Sequence, residues 1–171
     1  MSSERYKGHD RIIRAMPSVL ARVPDTVYLI VGSGDDQQRL EQFADETGVA
    51  SRVIFAGQVT DAELHDYFAL ARVFAMPSTG EGFGIVFLEA MACGTPVLAG
   101  NCDGSVDALD HGRLGRLVDP TDVHAVASGI VSLLRRQGPE WWFDRNALRS
   151  AVIERFGRPA FRDGVRRAFS F

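Results

Sequence analysis

Apolar positions along this chain fall into two rhythms that alternate from one end to the other. Ile12, Ile13, Met16, Val19, Leu20 and Val23 recur at the spacing of one helix face, and Pro24-Asp25 breaks the pattern. Val27-Tyr28-Leu29-Ile30-Val31 is then a short run rich in β-branched residues, ended by Gly32-Ser33-Gly34, and predicts a strand buried on both faces. Leu40, Phe43 and Ala44 resume helical spacing, closed at Gly48. The unit repeats with a strand at Val53-Ile54-Phe55 closed by Gly57. Thr60-Asp61-Ala62-Glu63 follows as a capping box before a helix carrying Leu64, Tyr67, Phe68 and Ala71. Val73-Phe74-Ala75-Met76 predicts a strand stopped by Pro77. Residues 85–93 predict a helix that is apolar nearly all round and therefore buried. Pro96-Val97-Leu98-Ala99 is the next strand, a short helix spans 106–109, and residues 116–118 form the last strand. Asp119-Pro120-Thr121-Asp122 starts a long helix through Leu134, which Gly138-Pro139 breaks. Residues 139–171 predict a helical tail in two pieces, with a break near Gly157. The cluster Trp141-Trp142-Phe143 reads as the anchor of that tail or as a contact patch for a further domain.

Strands alternating with helices imply βαβ units with right-handed crossovers. The predicted fold class is α/β, a Rossmann-like open parallel sheet with helices on both faces. Ligands in such sheets bind beyond the carboxyl ends of the strands. The loops on that edge are 32–35, 57–60, 77–84 and 100–105, all rich in glycine or small polar residues.

Composition narrows the function classes. A length of 171 residues suits one domain, 1–171, with a sizeable core. Hydrophobic content of 46% with 24% charged residues is that of a soluble globular protein, and a net charge of −3 argues against a nucleic-acid surface. Arg135-Arg136 and Arg166-Arg167 read as solvated helix ends. Cys93 and Cys102 make neither a disulfide framework nor a metal pattern, and Cys93 reads as a small core residue. No apolar run reaches the length of a membrane span and the start is not a signal peptide, so the cytoplasm is the default compartment. His9, His65, His111 and His124 are scattered and no metal set is visible; only His9, near Lys7, is placed to touch a ligand. Gly32-Ser33-Gly34 lacks the third glycine of a dinucleotide fingerprint.

The chemistry concentrates in the block from Glu81 to Val97. Glu81 and Glu89 stand eight positions apart, Gly82-Phe83-Gly84 follows the first, and an apolar helix carries the second. A glycine turn opening a helix is an anion site, because the first helical N–H groups lack partners. A carboxylate on each side accepts hydrogen bonds from hydroxyls. Those parts suit a diphosphate with a polyol at each end, as in a nucleotide-diphosphate sugar. Glu89 in an apolar helix needs a ligand or a basic partner. Gly8 permits close backbone approach beside Lys7, which favours a phosphate contact over a solvated lysine. Asp61 is an acceptor for guanine N–H groups or simply an acidic first-turn residue, and the second account is preferred. A glycosidase-type carboxylate pair fits less well, since it needs a fixed separation across a glycosidic bond.

Lys7-Gly8, Val31-Gly32-Ser33-Gly34, Val53-Ile54-Phe55-Ala56-Gly57, Met76-Pro77-Ser78 and the Glu81-to-Val97 block occur in that order. The series resembles the C-terminal, donor-binding domain of retaining glycosyltransferases of GT-B fold, the family containing sucrose synthase and bacterial mannosyl- and glucosyltransferases. The resemblance covers nearly the whole chain, and the Glu81–Glu89 block is its specific part. It implies catalytic roles for Glu81 and Lys7. Glu81 would meet the donor sugar, with the Gly82, Phe83 and Gly84 backbone lining it. Amides near Ile85 and Val86 would meet the diphosphate, and Glu89 the ribose hydroxyls. Gly57 and Val59 would lie under the base, and Lys7 on the phosphate. The family has a strand ending in Gly-Arg before the lysine segment; no such strand is found here, and Arg5 stands as the substitute for its arginine. That strand would be central in the sheet, so its loss should weaken the domain unless neighbouring strands close up or another chain fills the gap. No acceptor-binding N-terminal domain is found either, so the chain reads as half an enzyme, an excised piece or a subunit that needs a partner. The expected partners are a UDP- or GDP-sugar and the acceptor-binding domain, with no metal or other cofactor and no nucleic acid. Peripheral membrane association of the full enzyme and a strand-exchanged homo-oligomer stay open. The expectation is that the isolated chain binds nucleotide weakly and transfers no sugar. A nucleotide-sugar epimerase of the same fold and a non-catalytic nucleotide-binding or assembly module are the alternatives.

Overall fold

The structure, a computed structural model, describes residues 5–169. A turn at Arg5–Lys7 leads into α1 (His9–Leu20), β1 (Tyr28–Val31), α2 (Gln37–Glu46), β2 (Val53–Gly57), α3 (Asp61–Leu70), β3 (Phe74–Met76) and α4 (Ile85–Ala92). After these come β4 (Val97–Gly100), α5 (Ser105–Ala108), β5 (Arg116–Val118), α6 (Val123–Leu134), α7 (Arg145–Phe156) and α8 (Arg158–Phe169). All strand pairing is parallel, as βαβ connections require. β1 pairs with β2, while β4 lies between β3 and β5. Among the described residues β1 and β3 do not pair with each other, so the strands form two sheets rather than one closed-up sheet.

Helix α1 holds the two sheets together. Its Ile12, Ala15 and Val19 pack with Leu98 of β4 and with Val126 and Ile130 of α6. Its Ile13 and Met16 pack with Ile30 of β1 and with Leu40 and Ala44 of α2. The ring of Tyr28 belongs to both groups. On the far side of the three-stranded sheet, Phe87 and Met91 of α4, Leu109 and Leu148 of α7 form a second layer. Phe68, Phe74 and Phe87 meet edge-on within it. Local signals act as their chemistry dictates. Thr60 and Glu63 form the reciprocal capping box of α3, and the carboxylates of Asp122 and Asp144 accept from the second and third amides of α6 and α7. Trp142 is buried, and its Nε1 donates to the Arg113 carbonyl at 2.8 Å, which fixes the start of the tail on the domain.

Two sequence expectations about burial need correction. Residues 27–31 were expected to be buried on both faces, but the strand starts at Tyr28 and Leu29 is 39% exposed, as is Ile54 of β2 at 50%. The cause is coverage: among the described residues α1 and α2 pack on one face of β1–β2, whereas α3 packs against α4 and Leu29 and Ile54 stay exposed. Among the described strands only β4 is buried at every position. Cys93 is half-buried rather than a full core residue, and burial pushes its thiol pKa up.

Candidate functional site

The loops at the carboxyl ends of the strands are tied to one another in pairs. After β1 and β2, the Gly32 amide donates to the Gly57 carbonyl at 2.8 Å, with Gly57 itself left-handed at φ 71°. Val59 is half-buried beyond it, and Asp61 is exposed in the first turn of α3, where the helix dipole favours an acidic side chain.

Residues 5–8 are held against the loop that follows β3. The Thr79 amide donates to the Tyr6 carbonyl at 2.9 Å, and the Arg11 guanidinium donates to the Pro77 carbonyl at 2.8 Å and to the Thr79 hydroxyl at 3.2 Å. Gly8 is left-handed at φ 81°, and a Cβ there would lie 2.4 Å from the Pro77 oxygen. Gly8 is thus needed both for its dihedral and for close approach, which places Lys7 beside the segment that carries Glu81. Arg5 is exposed and pairs with Asp36, a carboxylate that also holds Arg39. The hydrogen bond from Arg39, with further attraction from Arg5, outweighs burial and keeps the Asp36 carboxyl below its usual range. Arg5, Lys7, His9, Gly32, Asp36 and Phe55 are among the walls of a cavity of ≈ 220 Å³ at the ends of β1 and β2. His9 Nδ1 lies 2.7 Å from the Tyr28 hydroxyl, whose pKa burial pushes up, with Asp10 adding to the effect.

The loops after β3 and β4 are clamped more tightly. The Ser78 hydroxyl and the Glu81 amide donate to the same oxygen of Asp103, at 2.7 and 2.8 Å, while the Ser105 amide donates to its other oxygen at 3.0 Å. The Gly104 amide donates back to the Glu81 carbonyl at 2.9 Å. Ser78 and Ser105 are fully buried, with their hydroxyls 3.1 Å apart. Burial alone would raise the Asp103 pKa. Hydrogen bonds from Glu81, Ser78 and Ser105 outweigh it and hold the carboxyl below the usual range. Asp103 was not singled out by the sequence. Its only local cue is the turn Asp103-Gly104-Ser105, which explains the bond to Ser105 but not those to residues 78 and 81.

Glu81 is half-buried, and its Oε1 accepts from the Gly82 amide at 3.1 Å. Gly84, left-handed at φ 90°, caps α4 with no side chain bonded to the leading amides. The helix buries Phe87, Ala90 and Met91 on one side. On the other, Ile85 is 66% exposed and Glu89 is exposed one turn further on, so the two share an open face. That corrects the expectation of a helix buried all round: α4 is covered by the core and α7 but opens on the loop edge. Glu89 therefore needs no buried partner. Val86 is half-buried against the core, and Phe83 turns inward, edge-on to Phe156 with ring centres 5.8 Å apart, so the main chain is what this turn offers outward.

Residues 2–152 match the family model described as glycosyl transferases group 1. The chain is 43% identical, over 135 residues, to a GDP-mannose-dependent alpha-(1-6)-phosphatidylinositol monomannoside mannosyltransferase of Mycolicibacterium smegmatis; the match covers 75% of this chain and 35% of that protein. It is 39% identical over 132 residues to a phosphatidyl-myo-inositol mannosyltransferase of the same organism, covering 77% of this chain and 33% of that one. The chain thus spans about a third of the length of these curated relatives. Among solved structures it is similar to sucrose-phosphate synthase from Thermosynechococcus elongatus, with a TM-score of 0.79 and 33% identity over 98% of this chain and 43% of that chain. It also matches Anabaena HepE in complex with UDP, at a TM-score of 0.80 over 99% of this chain and 47% of that chain; identity there is 24%, so the likeness speaks for the fold alone. The architecture is that of GT-B, Rossmann-like neighbours. Among the described residues no helix is long and apolar enough to cross a membrane.

Proposed function

Because this chain belongs to the glycosyl transferases group 1 family, we propose that its loop edge binds a nucleotide-diphosphate sugar as the donor for glycosyl transfer to an acceptor hydroxyl. One observation carries the reading. An uncapped glycine turn opens α4 between Glu81 and Glu89, and Lys7-Gly8 is clamped against the loop that holds Glu81. In this arrangement Glu81 faces the sugar hydroxyls and the exposed Glu89 accepts from the ribose. The amides of Ile85 and Val86 and the Lys7 ammonium meet the diphosphate, and Gly57 and Val59 lie under the base.

The chemistry asked of these groups is electrostatic. As the bond between the anomeric carbon and the diphosphate oxygen breaks, negative charge builds on the diphosphate, and Lys7 with the α4 amides stabilises it. The acceptor oxygen bonds to the anomeric carbon on the face being vacated, and its proton passes to the departing phosphate oxygen, so configuration is retained. In this reading a second domain holds the acceptor, and the present chain binds donor without transferring it. The relatives named for GDP-mannose make that the first donor to test.

Calorimetric titration of the purified chain with UDP, GDP, ADP and GDP-mannose tests the proposal. One diphosphate should bind in preference to the others, and its sugar should bind more tightly than the bare nucleotide. Absence of binding by every nucleotide, or sugar turnover by this chain alone, contradicts it.

A further inference from the structure

We infer that Asp103 is the positioning residue that sets the direction of Glu81 toward the donor sugar; the inference rests on the site proposed above. Two bonds fix the Glu81 main chain from both sides. Its amide donates to the Asp103 carboxylate, and its carbonyl accepts from the amide of the adjacent Gly104. With both peptide groups held, the direction of the bond from Cα to Cβ is fixed, and with it the reach of the acidic side chain. The same Asp103 oxygen takes the buried Ser78 hydroxyl, so the loop is held at residue 78 as well as at 81.

A purely local role would need only the bond to the Ser105 amide, which closes the turn before α5. The other carboxylate oxygen serves groups 22 and 25 residues away in sequence, on the loop that carries the sugar-facing carboxylate. Ionised acceptors make stronger bonds than neutral ones, and only a carboxylate presents an acceptor to both sides at once. An asparagine of the same shape must point its NH₂ either at the Glu81 amide or at the Ser105 amide, donor against donor. Small displacements of a positioning group are costly, because the useful geometry is narrow.

The test uses the 171-residue chain and its Asp103→Asn variant, with Glu81→Ala alone and in combination. Amide hydrogen exchange at Glu81 and Gly104 reads the clamp directly. The ratio of affinities for a nucleotide sugar and its bare nucleotide reads the sugar contact. Asp103→Asn should speed exchange at both amides on the order of tenfold and erase most of the affinity gained from the sugar, with little change for the bare nucleotide. The double variant should be no worse than Glu81→Ala, since both remove one contact. The pH response carries a sign. Asp103 has a lowered pKa in the folded chain, so its hold is present at neutral pH and is lost as pH falls through that pKa. Wild-type Glu81 should lose protection on acidification, while the Asn variant stays flat. Should the Asn variant not fold, Asp103→Glu, which keeps the charge but moves the oxygens by one methylene, carries the same comparison. Unchanged exchange at Glu81 with an unchanged sugar preference overturns the inference. Failure of the wild-type chain to bind any nucleotide sugar defeats the donor-site proposal instead, and the exchange at Glu81 then still decides whether Asp103 holds the loop.

Discussion

Gly104→Ala should destabilise the chain by about 3 kcal/mol, a fall in melting temperature of roughly 9 °C. The reason is space, not conformation. Gly104 has φ −62° and ψ −9°, which alanine adopts without strain. A Cβ there, however, would lie 2.0 Å from the Gly82 oxygen, 2.4 Å from its carbonyl carbon and 2.9 Å from the Glu81 oxygen. All of these are main-chain atoms, so no side chain can swing away to make room. Either loop 100–105 lifts off or the Glu81-Gly82 peptide moves, and both break the bond from the Gly104 amide to Glu81. Gly48 supplies the contrast. It is left-handed at φ 75° with nothing within 4 Å of the added carbon, so Gly48→Ala should cost about 1 kcal/mol from dihedral strain alone. Urea or thermal unfolding of the two variants decides the matter; equal losses would mean that the two loops are not locked as the structure shows.

Glu89→Gln should weaken binding of the bare nucleoside diphosphate by roughly 10- to 100-fold, the worth of hydrogen bonds to a charged acceptor. The same change should leave stability within about 0.5 kcal/mol, because Glu89 is exposed on the open side of α4. That separation is what gives the substitution its power. A surface carboxylate with no ligand moves neither quantity, whereas one holding the fold together moves the second. The effect should also fall on the nucleotide itself, since the proposed partner is the ribose, while changes at Glu81 fall on the sugar. Titration of both forms of the donor with both variants checks the assignment, and an unchanged affinity for the Gln variant takes Glu89 out of the site.

The alternation of strands and helices was legible in the residues because each element carries its own period and its own stop signal. Residues 116–118 and the Thr60–Glu63 capping box appear as read. Close backbone approach at Gly8 was legible, but not its partner, which in the structure is the Pro77 carbonyl. What escaped the sequence was coverage. The apolar composition of 85–93 says that the helix can be buried, not that Ile85 and Glu89 will face the open loop edge. Likewise nothing in Val27-Tyr28-Leu29-Ile30-Val31 tells that only one of its faces receives helices. Asp103 escaped for a different reason, because its decisive partners at 78 and 81 are distant in sequence and leave no spacing to find. The pairing of Arg5, offered by the resemblance as the substitute for the family's arginine, with Asp36 was not legible either, because the two lie far apart in sequence.

Backbone amide chemical shifts of the whole chain, followed while GDP-mannose and UDP-sugars are added, test the donor site most directly. The account predicts that the shifts move at Lys7 and Gly8, along 57–59 and from Glu81 to Glu89, with the leading amides of α4 changing most. Movement confined to the surface hollow beside Arg136, Trp141 and Phe143, or none with any nucleotide sugar, would contradict it.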